Sequence, residues 1–398
     1  MKKYLAYFLI FLFIAQSGIP FFQGDFWLII TSFLIAFLFI FNKQTISKHI
    51  VYYTMFFAIL MLSQFAITGN FLLGPFLGYL LRIITAYMFI KLIGLNFNKK
   101  FINLMYVLSC LGLIIWSLVI IFPSFYYVLQ NIYESMIYPL EFMHVRQNII
   151  FYTNDYWMQS SPPRNAGPFW EPGAFGVFLI LAILLEILKT QKIITKKNIV
   201  FFVSLITTFS LGTFVSVAVL LLLYFIFFMP SKINKLILVP LLLFTLLIIY
   251  NKSDFLSGKM EYRNIRMMNF YNENYTYNTL DHIVGRNEQA ILDLREFIKH
   301  PFIGIGQFTQ IEFASSASGI TDYLKKWGIL GFGFFFINMY YSFKSYVVAN
   351  QLNRKYAIFA TLIMITISLT QNLYGKPLFI MFSFMYLVFN KNEIKNVD

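Results

Sequence analysis

Long apolar runs separated by short polar connections dominate the chain. The pattern predicts membrane spans over residues 4–22, 26–41, 50–67, 71–95, 101–122, 169–188, 236–250, 328–343, 356–374 and 377–389. Runs of about 18 or more apolar residues can cross a hydrocarbon core of ~30 Å. The hydrophobicity is continuous and does not alternate, so helices are predicted rather than strands. We therefore expect an all-α, polytopic integral membrane protein.

The apolar run 199–229 is too long for one ordinary span. A single crossing would place the basic connections 189–197 and 231–235 on opposite sides of the membrane, against the positive-inside pattern. We therefore expect two short spans with a break near residues 210–213, which brings the total to about 12 transmembrane helices in one membrane domain, 1–398.

Composition and charge fit this class of protein. The chain is 59% hydrophobic and only 12% charged, and its net charge is +14. The basic residues lie in short connections, which is a topology signal and does not indicate nucleic-acid binding. Many of them are lysines of those connections: Lys2, Lys3, Lys43, Lys48, Lys99, Lys100, Lys189, Lys192, Lys196, Lys197, Lys232 and Lys235.

Two long polar loops remain between the spans. Residues 123–168 contain no lysine, and residues 251–326 are the most polar part of the chain. The charge pattern predicts that both are large outer, periplasmic loops and that both termini are cytoplasmic. The lipid bilayer is the partner that composition implies.

No cofactor or metal site is expected. Cys110 is the only cysteine and lies in an apolar run, and the four histidines have no metal-ligand spacing. The chain has no P-loop and no dinucleotide-binding fingerprint.

The stretch 164–176 concentrates unusual chemistry at the start of a predicted span. Arg164 is followed seven residues later by Glu171, and Pro172 suits the first position of a helix. Glu171 would then stand at the N-cap, where its charge meets the positive end of the helix dipole. Gly173 and Gly176 would let another backbone approach closely. If Glu171 only caps the helix, its role is structural.

An amphipathic helix is predicted over 287–299, and it ends before Pro301. If it starts one residue earlier, Arg286, Asp293 and His300 form one polar stripe, which could face a cavity. His300 could equally cap the helix. The predicted apolar face comprises Ala290, Ile291, Leu294, Phe297 and Ile298.

Arg82 lies roughly 17 Å into its predicted span. A charge near the bilayer centre costs at least ~2.5 kcal/mol, so a function or an ion pair between helices is expected. Arg164 could likewise be an interface anchor. Trp170 could belong to an interfacial aromatic belt.

Three motifs together resemble the O-antigen polymerase and O-antigen ligase superfamily of bacterial envelope glycosyltransferases. The first is Arg164-x-x-Gly167-x-Phe169-x-Glu171-Pro172. The second is Gly285-Arg286 leading through the amphipathic helix to the sequence HPFIGIG at 300–306. The third is WGILG at 327–331.

The resemblance implies a fold of about a dozen helices in the bacterial cytoplasmic (inner) membrane, with two periplasmic loops enclosing the site. The substrate would be an oligosaccharide on undecaprenyl diphosphate, and no metal or cofactor would be needed. Arg164 and Arg286 match loop arginines that hold the diphosphate, and Glu171 completes the candidate catalytic set. The candidate substrate-binding residues are Arg82, Trp170, Asp293, Arg295 and His300.

Residues 315–319 depart from the ligase pattern, because they contain no histidine before the glycine element. This favours a polysaccharide polymerase, which would act beside a flippase and a chain-length regulator of the same pathway. A ligase that transfers glycan to lipid A-core is the nearest alternative. A flippase of lipid-linked sugars is less favoured, because a transporter would show paired broken helices.

Overall fold

The computed structural model describes residues 3–69, 72–136, 148–154, 158, 163–229, 268, 286–306 and 319–389. This part of the chain is helical and contains no β-strand beyond a single bridge between Asn148 and Thr153. The predicted all-α class is confirmed for these residues. The predicted span 236–250 and most of the loop 251–326 lie outside them.

The α-helices run as follows, in chain order: α1 Lys3–Gly18, α2 Asp25–Phe41, α3 Lys48–Thr68, α4 Leu73–Ile93, α5 Phe97–Ile121, α6 Ser124–Met136, α7 Pro172–Thr190, α8 Lys196–Thr207, α9 Leu211–Phe228, α10 Arg286–Lys299, α11 Gly319–Ala349, α12 Lys355–Thr370 and α13 Pro377–Met381.

Helix α7 is the centre of the bundle. Every side chain from Pro172 to Leu188 is buried, and the helix packs against α5, α8, α9 and α12. A helix that is apolar on all sides is stable only in the interior of a protein or a membrane. Helix α7, at whose N-terminus Glu171 lies, is therefore held in place by four neighbouring helices.

Peripheral helices expose apolar side chains instead. Among the described residues, four helical segments are long and apolar enough to cross a membrane, namely Lys48–Ile67, Leu73–Ile121, Pro172–Thr190 and Leu211–Phe228. Contiguous apolar surface of this kind marks contact with a membrane or a partner. Together with the composition, it indicates a membrane protein. Strongly exposed examples are Phe33, Phe37, Ile40, Tyr52, Ile59, Leu77, Ile114, Ile121 and Ile206.

The predicted break in the run 199–229 is confirmed. Helix α8 ends at Thr207 and α9 begins at Leu211, and Phe209 between them has a positive φ of 42°. The break exposes carbonyl groups that a continuous helix would use internally. The carbonyls of Thr207 and Thr208 accept hydrogen bonds from Asn165 and Arg164 instead.

The stretch 377–389 differs from the regular span that the sequence predicts. Helix α13 has five residues, and turns with a short 3-10 helix at Met385–Leu387 follow it. The segment is buried and packs against α1 and α4. Serine hydroxyls satisfy part of its irregular backbone, because Leu378 N donates to Ser17 Oγ and Tyr386 N donates to Ser342 Oγ. Protein contacts thus replace the regular helical hydrogen bonds.

Helix α11 is broken at Gly328, where the predicted span 328–343 begins. Gly328 has φ 59° and ψ −171°, a conformation open essentially to glycine alone. The amides of Ile329 and Leu330 donate to the carbonyls of Pro301 and Phe302, at 2.8 and 3.1 Å. The two glycine-rich motifs noted in the sequence, 300–306 and 327–331, are therefore joined by backbone hydrogen bonds and form one structural unit.

Replacing Gly328 with Ala should destabilise this unit. A Cβ at this position would overlap the carbonyl of Phe302, and the backbone conformation alone costs about 1–3 kcal/mol for other residues. We expect a lower thermal unfolding temperature in detergent for Gly328→Ala. The control is Gly333→Ala on the same helix, where a Cβ meets open space and helix propensity improves. Equal stability of the two variants would contradict the close packing of residues 327–331 against residues 300–306.

Candidate functional site

Polar side chains from three parts of the described chain contact or lie beside the connection between α12 and α13, residues 371–376. Gln371 contacts Glu171, Asn372 contacts Asp322 on α11, and Lys376 lines a pocket with Arg82 of α4. Two of the regions singled out in the sequence, around 164–176 and around Arg82, thus lie beside helix α11.

Arg164 is carried by a loop that enters the bundle. Residues 165–169 are buried, and Gly112 of α5 lies directly against Gly167. Gly112 is nine residues before the end of α5, which corresponds to a depth of about 13 Å. Irregular backbone at such a depth is stable when protein surrounds it. The loop can therefore hold a charged side chain inside the bundle.

The break between α8 and α9 positions this loop. Arg164 Nε donates to the carbonyl of Thr208 at 3.1 Å. Asn165 donates to Thr207 twice, through its amide to the carbonyl at 2.9 Å and through Nδ2 to Oγ1 at 3.0 Å. A planar guanidinium has five N–H donors in a fixed fork, so this bond orients the group as well as tethering it.

Glu171 occupies the N-cap of α7, as the sequence predicts, and Pro172 follows at the first helical position. Its carboxylate makes no capping hydrogen bond. Oε1 instead accepts a hydrogen bond from Gln371 Nε2. This geometry argues against a purely capping role, because the carboxylate points toward the polar connection 371–376.

The glycines after Glu171 make room for side chains. A Cβ at Gly173 would lie 2.7 Å from Gln371 Nε2, and one at Gly176 would overlap Thr213. At both positions the nearest atoms belong to side chains, so these glycines allow close contact with Gln371 and Thr213. A Cβ at Gly173 would displace the Gln371 side chain from Glu171.

Helix α10 buries Asp293 of the predicted polar stripe against α11, and a cavity that faces this stripe stays a prediction. Asp293 is fully buried, while Leu294 and Ile298 of the predicted apolar face are exposed. Asp293 Oδ1 accepts from Lys325 Nζ at 2.5 Å and Oδ2 accepts from Thr321 Oγ1 at 3.0 Å. Both carboxylate oxygens thus have protein donors, which favours a role in joining α10 to α11. Substrate binding by Asp293 stays a prediction.

Asp322 extends the ion-pair network toward the connection 371–376. Lys326 Nζ lies 2.6 Å from Asp322 Oδ2, which also accepts from Asn372 Nδ2 at 2.8 Å. Lys325 Nζ lies 3.4 Å from Oδ1 of the same carboxylate. Because both acidic groups are buried, these pairs fix α10, α11 and the connection relative to one another.

Arg82, Lys326 and Lys376 line one pocket of about 350 Å³, which we call the cationic pocket. Asn372 and Gly375 complete its polar wall. Burial, with the charges of Arg82 and Lys326 nearby, lowers the pKa of Lys376 to about 8. Arg82 also forms an ion pair of 3.8 Å with Asp25, whose side chain is 88% exposed. Such an exposed partner neutralises Arg82 weakly.

The remaining candidates are placed less centrally. Trp170 is half-buried against the core, and its backbone amide donates to the carbonyl of Gly18 at 3.2 Å. Arg295 and His300 are half-buried on and after α10. Arg286 is the first residue of α10, as predicted for the polar stripe, and its side chain lies outside the described atoms. The structure brings Arg82, Asp293 and Glu171 to the same polar region.

Sequence reasoning missed six residues of this region: Asp322, Lys325, Lys326, Gln371, Asn372 and Lys376. A signal was present. Asp322 precedes the two lysines by three and four positions, which is ion-pair spacing on a helix. Likewise Gln371 and Asn372 are polar residues inside the predicted span 356–374, and Lys376 lies in the short connection that follows it.

The arrangement offers a carboxylate, an oriented guanidinium and a group of cations, which suits recognition of an anionic substrate. Among the described residues no group of three histidine, cysteine or acidic side chains could hold a metal ion. Comparison of the chain with family models and with curated proteins gives no match.

Proposed function

We propose that this membrane protein is a polysaccharide polymerase. It transfers a growing glycan from undecaprenyl diphosphate to another lipid-linked repeat unit on the outer face of the bacterial inner membrane. The polysaccharide is an O-antigen, capsule or exopolysaccharide. The polymerase and ligase resemblance of the three motifs supplies the reaction class.

One observation supports the proposal most. The carboxylate of Glu171 lies at the entrance of the central helix and points at the polar connection 371–376, which also lines the cationic pocket. A glycosyl transfer between two lipid diphosphates needs a carboxylate for the acceptor hydroxyl and cations that bind the diphosphate headgroups.

The proposed step is a single displacement. The acceptor hydroxyl oxygen attacks the anomeric carbon of the donor, and the bond from that carbon to the diphosphate oxygen breaks. The diphosphate leaves with the bonding electron pair, and arginine N–H groups stabilise its charge. Glu171 orients the hydroxyl and receives its proton, which then passes to the diphosphate or to water. Arg164 and Arg286 are the proposed diphosphate ligands.

The topology proposed for this function has about 12 spans, two periplasmic loops and cytoplasmic termini. The exposed apolar face of α10 suits a helix that lies at the membrane boundary with its polar side turned inward.

Single cysteines at Asn131, Lys232 and Asn353 test the topology in a Cys110→Ser background. We expect a membrane-impermeant maleimide to label the cysteine at Asn131 from outside. The other two should react only after the cells are opened, because both lie in basic connections. External labelling at Lys232 would mean an odd number of spans between it and Thr195, against the two-span interpretation of 199–229.

Arg164→Lys should abolish most polymer formation, by at least about tenfold. Lysine keeps the charge but loses the planar fork and the hydrogen bond to Thr208, and hydrogen bonds to charged groups contribute about 1.5–3 kcal/mol each. Chain length is read from the glycan ladder, normalised to folded protein in the membrane. Arg354→Lys, an exposed arginine near the start of α12, is the control and should leave the ladder unchanged. A normal ladder from Arg164→Lys would remove it from the diphosphate site.

The envelope polysaccharide of a deletion strain tests the reaction class. Loss of a polymerase leaves one repeat unit on the final acceptor. Loss of a ligase leaves bare acceptor with polymer still on the carrier, and loss of a flippase leaves neither outside. The second or third outcome would overturn the proposal.

A further inference from the structure

An apolar groove runs between α2 and α4 and opens at the side of the bundle. Its volume is about 750 Å³, and its lining includes Leu28, Ile29, Leu77, Leu81 and Ile84. Three of these side chains, Ile29, Leu77 and Ile84, are substantially exposed. A groove with exposed apolar walls in a membrane protein is accessible to hydrocarbon chains from the bilayer.

The glycine face of α4 gives the groove its depth. Ideal Cβ atoms at Gly74 and Gly78 meet no protein atom within 4 Å. These glycines are therefore not needed for packing within the described chain. The space above them is the space that a bound chain would occupy.

The groove leads into the cationic pocket, because Pro75 and Arg82 line both. Lys326 and Lys376 contribute two further cations to that pocket. Within the residues that the structure describes, no carboxylate pairs with Lys376 at ion-pair distance. Lys326 is paired with Asp322 at 2.6 Å, and Arg82 is paired at 3.8 Å with the exposed Asp25, which also lines the groove. An apolar channel that ends at a partly uncompensated cluster of cations matches an anionic lipid.

We propose that the groove and the cationic pocket together bind a lipid with a long hydrocarbon chain and a diphosphate headgroup. The chain lies over Gly78, and the headgroup contacts Arg82, Lys326 and Lys376. No bond changes at this site. Resting on the proposed function, we assign the bound molecule as the acceptor, whose diphosphate stays intact while its far sugar reaches Glu171.

Charge selects a diphosphate over an ordinary membrane phospholipid. A phospholipid phosphodiester carries one negative charge, whereas a diphosphate carries two or more and has enough oxygens for three cations at once. A second diphosphate site is also what a reaction between two lipid-linked saccharides requires. The connection 371–376 spans at most about 18 Å, so this site is close to Glu171.

The test measures binding directly, with purified full-length protein in nanodiscs of phosphatidylcholine and a fluorescent undecaprenyl diphosphate without sugar. Gly78→Leu adds a side chain to the groove at a position where a Cβ meets no protein atom within 4 Å, and Gly333→Leu adds the same side chain at an equally open position on α11. Lys376→Met removes the cation, and Lys355→Met at the exposed start of α12 is its control. We expect Gly78→Leu and Lys376→Met to weaken binding by at least about tenfold and both controls to leave it unchanged.

The pH dependence and the competitors sharpen the test. Wild-type affinity should fall as pH rises from 7 to 9, because Lys376, which faces Arg82 and Lys326, loses its proton in this range while the headgroup keeps its charge. Lys376→Met should flatten this dependence. Undecaprenol and phosphatidylglycerol should compete at least about tenfold more weakly than undecaprenyl diphosphate.

Unchanged binding in Gly78→Leu would overturn the proposed site, and so would equal competition by phosphatidylglycerol. Because the assay contains no sugar and no transfer step, it is independent of whether the protein is a polymerase. If binding follows this pattern but no transfer is found, the proposed function fails and the lipid site stands.

Discussion

Glu171→Gln should lose about 10²-fold or more of the polymerising activity while the protein remains folded in the membrane. General acid–base groups contribute about 10²–10⁴-fold to a rate, and glutamine removes the charge without changing the shape. The fold should tolerate the change, because a glutamine oxygen can still accept the hydrogen bond from Gln371 Nε2. The measurement is polymer formed per folded protein.

Two further variants separate charge from shape at this position. Glu171→Asp keeps the carboxylate and should recover part of the activity. Glu186→Gln, at the opposite end of the same helix, is the control and should retain the wild-type rate per folded protein. Wild-type polymer from Glu171→Gln would mean that the carboxylate is structural.

Asp293→Asn should destabilise the protein by about 3–5 kcal/mol. The change leaves Lys325 buried beside Asp322, at 3.4 Å, a carboxylate that Lys326 also contacts, and breaking a buried ion pair by removing one partner is costly. We expect a clear fall in the thermal unfolding temperature measured in detergent, together with loss of α10–α11 contact. Activity would fall because less protein is folded.

The same helix provides the matched control. Glu296 and Lys299 form an ion pair of 2.8 Å whose lysine is 61% exposed, and solvent-exposed pairs contribute about 0–1 kcal/mol. Lys299→Met should therefore change stability little. The double variant Asp293→Asn/Lys325→Met removes both charges and should recover much of the loss. A stable Asp293→Asn protein that loses only substrate affinity would instead show that Asp293 binds the substrate.

Hydrophobic periodicity and charge predicted a helix well where either the length of the apolar run or the distribution of basic residues determines it. Apolar run length gave the helices from α1 to α5, and the positive-inside argument located the break between α8 and α9. The stretch 377–389 could not be predicted in this way. Its apolar side chains fit a lipid-facing span and a buried irregular segment equally, and only tertiary contacts such as that of Leu378 with Ser17 decide between them.

The candidate site was predictable only in part, for a similar reason. Glu171 and Asp293 could be singled out because a charge beside an apolar run or on a polar stripe is costly without a partner. Their partners, Gln371 and Lys325, are 200 and 32 residues away in the chain, so local spacing carries no information about them. Lys376 became a candidate only when α4 and α11 placed Arg82 and Lys326 beside it.

Reconstitution tests the central claim most directly. The purified protein in liposomes receives only lipid-linked repeat units, without nucleotide sugar or ATP, and the products are separated by size. We predict a ladder of glycans on the lipid carrier, with one undecaprenyl diphosphate released per added unit, and no ladder with Glu171→Gln. Repeat units that are consumed only when lipid A-core is present, or that cross the bilayer without elongation, would contradict the account.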